Sequence, residues 1–195
     1  MRLHTVDTGH RLPQKVKLRL LRLLTGDPAQ PYDVIKVMLY RPEFFGQPFL
    51  ALVQEVMRGP SSWSVGEREL FAAFVARKNA CRFCTGNHSA VASEALGDAL
   101  TQAVLDDWQA APVSEQVKAM LDYLEKLTLH PEEVGKSDVA SLYAAGISQQ
   151  AVNEAMYICV LFNIVGRIAD ALNFTLPSSF KGRSAKLFLR MGYAL

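Results

Sequence analysis

Apolar side chains recur three and four positions apart along nearly all of this 195-residue chain, a period that suits helices and not half-buried strands, whose side chains alternate. Val16, Leu20, Leu23 and Leu24 share one face of a segment over 15–24, and a second short helix is expected over 34–40. Phe45, Phe49, Leu52, Val53 and Val56 build a third over 44–57, with Pro48 suited to a first turn and Arg58-Gly59-Pro60 as the stop. Runs of β-branched residues are short, and no Asn-Gly or Asp-Gly hairpin turn occurs. The longest helical pattern, over 149–172 behind a capping Ser148, is apolar on more than one face and reads as a buried core helix. The expectation is an all-α fold.

Ser64-Val65-Gly66-Glu67 has the form of a capping box, in which hydroxyl and carboxylate satisfy unpaired N–H groups at a helix start. A helix should follow to about Lys78. Asn79 then either closes it in a left-handed turn or caps the next helix, which begins near Cys81 and runs to Leu96-Gly97. Further helices are expected over 98–109, over 114–129 with Pro131 as its stop, and over 137–145 closed by Gly146. No low-complexity tract or long linker divides the chain, so one domain over 1–195 is expected, built on helical hairpins.

Lys and Arg number 21 against 19 Asp and Glu, a balance of +2 that gives no broad electrostatic footprint for nucleic acid. The first ten residues lack the apolar core of a secretory signal. The most apolar stretch, over 155–166, falls short of the ~20 residues that cross a bilayer. A cytoplasmic protein with no membrane partner is therefore expected. The tail over 180–195 mixes basic residues with Leu187, Phe188, Leu189 and Met191, which would suit a membrane-surface helix, although docking on the core or on another subunit is the expectation. Three cysteines, an odd count, argue against a disulfide scaffold and for redox or metal chemistry.

Two of the three cysteines stand in Cys81-Arg82-Phe83-Cys84-Thr85-Gly86-Asn87-His88. On a helix Cys84 and His88 are neighbours on one face, with Cys81 one turn earlier on the same side. A thiol reacts as its thiolate, and His88 supplies a base for Cys84, while the helix N-terminus favours charge on Cys81 more than on Cys84. Helical side chains three apart have Cβ atoms about 5–6 Å apart, against roughly 3.5–4.5 Å in a disulfide, so a Cys81–Cys84 bond needs a tightened first turn and would be readily reducible. Glu69 lies early in the preceding helix, and the antiparallel return of the next one can bring His88 beside it.

Glu69, Cys81, Cys84 and His88 at this mutual spacing, followed by a helix ending at Gly97, resemble the core motif of the AhpD-like alkylhydroperoxidases within the carboxymuconolactone decarboxylase superfamily; the matching stretch is 64–97. A weaker resemblance over 163–170 is to the longer, peroxidase-related branch. The resemblance implies an AhpD-like helical bundle, homo-oligomerisation, and reduction of a hydroperoxide without metal, haem or flavin. In that scheme Cys84 attacks the peroxide, Cys81 resolves the sulfenic acid as a disulfide, His88 and Glu69 move protons, and a dithiol or thiol donor restores the pair. Related hydroperoxidases can carry a second histidine between the cysteines; Phe83 stands there, which bears on rate and on the preferred peroxide.

Two other enzymatic or binding classes fit the same residues. A lyase or isomerase like the decarboxylase branch would use His88 and Glu69 for acid–base work without redox turnover. A non-catalytic helical oligomer would use the cysteine pair to sense oxidants or, with His88, to hold zinc. Cys159 reads as a small core residue, and Arg167 with Asp170, three apart, as an ion pair. His4, His10 and His130 are assigned nothing.

Overall fold

A computed structural model describes residues 1–25, 32–176, 180 and 182–193. Every regular element among them is helical: α1 (His4–Thr8), α2 (Leu12–Thr25), α3 (Asp33–Tyr40), α4 (Gln47–Arg58), α5 (Val65–Lys78), α6 (Arg82–Leu96), α7 (Asp98–Asp107), α8 (Glu115–Leu129), α9 (Lys136–Ala144), α10 (Gln149–Leu172) and α11 (Arg183–Met191). The expected helices are all present. α1 was not expected, α11 falls within the amphipathic tail over 180–195, and a π-helical turn over Pro42–Gly46 leads into α4, moving Phe44 and Phe45 out of that helix.

The capping box forms as expected: Ser64 Oγ accepts from the Glu67 amide at 3.2 Å and the Ser64 amide donates to Glu67 Oε2 at 2.8 Å. From there α5 runs through the centre of the molecule. Its residues Leu70 to Ala76 are all buried, because α6, α10, α8, α7 and α4 pack around it. A helix enclosed on every side needs no polar face, so its sequence carries no amphipathic stripe. Trp63, just before it, meets Phe71 edge-on at 4.9 Å and donates Nε1–H to the Ala151 carbonyl at 2.8 Å, tying α5 to α10.

At the α5–α6 turn the left-handed residue is Ala80 (φ 58°), not Asn79, whose side chain instead reaches Asn163 Oδ1 on α10 at 3.1 Å. The expected Asn79 closure is thereby corrected: the tertiary partner took the amide that a local cap would have used. α10 extends for 24 residues, well beyond the apolar stretch over 155–166, and is long and apolar enough to cross a membrane by length and composition. Here it packs on α5, α8, α6 and α4 with Ala155, Ile158, Leu161 and Phe162 in the core. Cys159 is buried among them as expected, within 3.5 Å of Thr128 Oγ1 and 3.3 Å of Asn163 Nδ2.

A smaller cluster joins the two ends of the chain: Tyr32, Ile35 and Leu39 from the α3 region meet Phe180 and Ala185 from the C-terminal segment across Val91 of α6. α11 therefore docks on the core, against α6.

Candidate active site

Glu69 lies in the second turn of α5 with no solvent exposure. Three donors converge on its carboxylate. His88 Nδ1, from α6, is 2.7 Å from Oε2; Arg58 Nη2, from the last residue of α4, is 2.7 Å from Oε1; and the Tyr193 hydroxyl donates to Oε1 at 2.8 Å. The Tyr193 oxygen is also 3.3 Å from His88 Nδ1, and the Arg58 guanidinium lies over the Tyr193 ring, 4.9 Å from its centre. Burial alone would raise the Glu69 carboxyl, but His88, Arg58 and the Tyr193 hydroxyl outweigh it and hold it below the ordinary carboxylate range. The same burial, with the Glu69 charge beside it, pushes the Tyr193 phenol well above its ordinary value.

Local structure explains how Tyr193 arrives. Gly192, in the left-handed region at φ 72°, ends α11, and a Cβ there would lie 2.8 Å from Arg58 Cγ. Only glycine permits both the turn and the approach. Arg58 is fixed from the other side by donating to the Met57 carbonyl at 2.8 Å and the Phe188 carbonyl of α11 at 3.0 Å. His88 is held edge-on by Phe162 of α10, ring centres 4.4 Å apart. With Nδ1 directed at Glu69, Nε2 is the ring nitrogen left for other work, and among the described residues it makes no hydrogen bond.

Cys84 precedes His88 by one turn of α6. Cys81 is the N-cap of α6, with extended backbone (φ −79°, ψ 98°), so the pair spans a helix entrance and not a helical turn. Both thiols are free and buried. Hydrogen bonding from the Cys84 thiol lowers the Cys81 thiol against the opposing effects of burial and of the Asp170 carboxylate, whereas sharing its proton with Cys81, together with burial, pushes Cys84 up. Of the two thiols, Cys81 is therefore the one that ionises more readily. Asp170 lies within electrostatic reach of Cys81 and makes no ion pair with Arg167, which corrects the expected i, i+3 bridge: α10 passes Cys81 at Gly166, and the next turn carries Asp170 to the same side.

A cavity of about 90 Å³ opens between α3, α4, α6, α10 and the C-terminal segment. Cys84 and His88 line it together with aromatic and aliphatic side chains, Phe83, Phe162 and Phe188 among them; Cys81 does not. No direct hydrogen bond joins His88 to either sulfur, so they meet across this space. The ligand atoms of Cys81, Cys84 and His88 do not gather as a metal site requires; among the described residues the one such trio is exposed His130, Glu132 and Glu133.

Four sequence-expected residues are therefore brought to one place, Glu69 against His88 and Cys81 against Cys84. Comparison with solved structures places the architecture. An uncharacterized peroxidase-related protein from Silicibacter sp. TM1040 superposes with a TM-score of 0.80 at 22% identity, covering 93% of this chain and 94% of that one. An alkylhydroperoxidase AhpD core protein, an uncharacterized peroxidase-related protein from Ralstonia eutropha JMP134, superposes with a TM-score of 0.77 at 20% identity, over 90% and 92%. The fold is that of the AhpD core. The debrominase Bmp8 shares it with a TM-score of 0.71 at 16% identity, over 94% of each chain, and a cysteine-to-alanine form of Bmp8 is known in complex with 2,3,4-tribromopyrrole. No protein-family model matches the sequence, and no curated relative was found.

Within this AhpD-core fold, Arg58 and Tyr193 are the members of the cluster that sequence reasoning missed. Arg58 read as part of a helix stop, and Tyr193 stands 124 residues from Glu69 in the chain. The Gly-Tyr pair after an amphipathic segment was the one local signal, and it says nothing about where the ring goes.

Proposed function

We propose that this protein is a thiol-dependent peroxidase that reduces hydroperoxides through Cys84 and Cys81. The observation that carries the reading is the division of the pair: Cys84 lines the cavity with His88, while Cys81 does not, and Cys81 is the thiol of the two whose ionisation its neighbour eases. Cys84 gives its proton to His88 Nε2 by way of one water in the cavity, and its thiolate attacks the outer oxygen of the hydroperoxide. The O–O bond breaks, an S–O bond forms, and the departing alkoxide takes the proton back from His88 and leaves as the alcohol. Cys81, the more readily ionised thiol, then attacks the Cys84 sulfenic acid as its thiolate; a disulfide forms, and the hydroxide released takes a proton from solvent and leaves as water. A dithiol or thiol donor reduces the disulfide and is itself oxidised.

In this scheme Glu69 moves no proton. Its depressed carboxyl stays ionised and stabilises the imidazolium that forms on His88, and Arg58 and Tyr193 keep it in place. Self-association is supported by an uncovered apolar stripe on α10, where Tyr157, Val160 and Ile164 are 58%, 51% and 40% exposed.

Adding one equivalent of tert-butyl hydroperoxide to the reduced protein is expected to remove two thiols per chain together and leave Cys159. Cys84→Ser should abolish consumption, and Cys81→Ser should stop it after one turnover with the sulfenic acid on Cys84 trapped by a dimedone probe. Undiminished consumption by Cys84→Ser ends the reading. A second reading follows from the Bmp8 likeness and the aromatic cavity wall: reductive dehalogenation, in which two thiols and an aryl bromide yield the arene, bromide, a proton and the disulfide. Bromide release from a bromopyrrole, absent peroxide consumption, would favour it.

A further inference from the structure

Along α6 the cavity is faced by Cys84, Asn87, His88 and Val91, spaced i, i+3, i+4 and i+7 on one stripe of the helix. Three of these have an account: a sulfur, an imidazole and an apolar wall. Asn87 has none. The side chain is half-buried; its Oδ1 is buried and meets no hydrogen-bond partner, and among the described residues its amide nitrogen makes no hydrogen bond. Whichever way the amide is turned, its buried polar atom is left without a partner beside a mostly apolar chamber, a condition native proteins avoid.

We infer that Asn87 is the specificity-determining residue of this cavity: its carboxamide accepts a hydrogen bond from the O–H of a small ligand whose apolar body fills the chamber between Cys84 and the aromatic wall. Asn87 stands between Cys84 and His88 on the stripe, so a head group held there lies in front of the sulfur and within reach of the imidazole. The cavity volume, about 90 Å³, is below the roughly 150 Å³ of an engineered cavity that binds benzene, so the body is a few carbons and not a long acyl chain. Reading that ligand as a short or tertiary alkyl hydroperoxide rests on the function proposed above; the donor-headed, apolar-bodied recognition does not.

The test needs no turnover. Reduced wild-type protein is titrated, by amide chemical shifts, with tert-butanol and with tert-butyl methyl ether, which share a body and differ in the O–H donor. The wild type should bind the alcohol about fivefold or more tightly, the worth of one net hydrogen bond, and Asn87→Ala should reduce that preference to under about twofold. Alanine favours helix more than asparagine does, so the variant should keep the fold, and Asn87→Ser, which retains an acceptor, should keep part of the preference. Equal affinities in the wild type, no binding of either probe, or an alcohol preference that survives Asn87→Ala would each overturn the inference. Absent peroxide turnover with the alcohol preference intact would sink the peroxidase reading alone, and intact turnover without the preference would sink this one alone.

Discussion

The two ends of the site are built on opposite principles. At the carboxylate end, Glu69, Arg58, His88 and Tyr193 exchange hydrogen bonds of 2.7–2.8 Å. Each Glu69 oxygen is satisfied and its negative charge faces a guanidinium. At the sulfur end, each thiol shifts the other's ionisation, Cys81 down and Cys84 up, and Asn87 Oδ1 has no partner. A buried charge without partners is expelled or neutralised, so a saturated cluster holds its protonation state constant. A pair of thiols coupled to one another does the reverse: removing one proton or one electron pair changes both. The difference separates an end that stays fixed through a reaction from an end that changes state.

The largest break in that contrast comes from Glu69→Gln. It leaves the Arg58 guanidinium buried without its carboxylate, and the expected loss is about 3–5 kcal/mol of stability, read from the urea midpoint. Peroxide consumption should fall about 10²-fold, the lower range for a misplaced acid–base partner. A double variant, Glu69→Gln with Arg58→Met, should recover part of the stability and none of the rate. Stability should also carry the sign of the shift: the Glu69 carboxyl is depressed below its ordinary 4.5, so its contribution is complete above that pH and is lost as pH falls through the folded value. The gap between wild type and Glu69→Gln is therefore flat from neutral pH down to about pH 5 and narrows below it. A gap that narrows on the alkaline side instead would mean the carboxyl is not held ionised by its donors.

At the sulfur end the corresponding substitution costs little stability and alters chemistry. Cys84→Ala removes the thiol that donates to Cys81, so the Cys81 thiolate should appear at higher pH, measured as ultraviolet thiolate absorbance against pH. Cys84→Ser, which keeps a donor, should shift it less. If the two variants titrate alike, proton sharing is not what favours Cys81, and the N-terminus of α6 carries the effect by itself.

How far each end was legible in the sequence follows from the same division. Cys81, Cys84 and His88 lie within one turn or two of a single helix, and the capping box at Ser64 sets the phase of the helix before it, so an antiparallel return of the chain can bring His88 beside Glu69. Such short-range geometry is written in spacing. Arg58 and Tyr193 reach Glu69 through packing of α4 and α11, and nothing local distinguishes Arg58 from any basic residue at a helix C-terminus. The turn at Ala80 was misassigned for a related reason: Asn79 has the intrinsic preference for the left-handed region, but α10 offered its amide a partner in Asn163. The orphaned Asn87 was invisible too, since an asparagine in a helix reads as solvated until the cavity beside it is known.

The smallest effect is the most discriminating for Tyr193. Tyr193→Phe keeps the ring over Arg58 and against the cavity and deletes one hydroxyl, leaving Glu69 with Arg58 on Oε1 and His88 on Oε2. One hydrogen bond to a charged acceptor is lost while its acceptor keeps a second donor, so the expected cost is about 1 kcal/mol, with a few-fold fall in peroxide consumption. Losing a donor also weakens the depression of Glu69, so the acid-side loss of stability should begin at a higher pH than in the wild type. A purely structural hydroxyl would lower stability equally at every pH. The pH at which the loss begins, and not its size, therefore decides whether the C-terminal segment belongs to the fixed end of the site or only covers it.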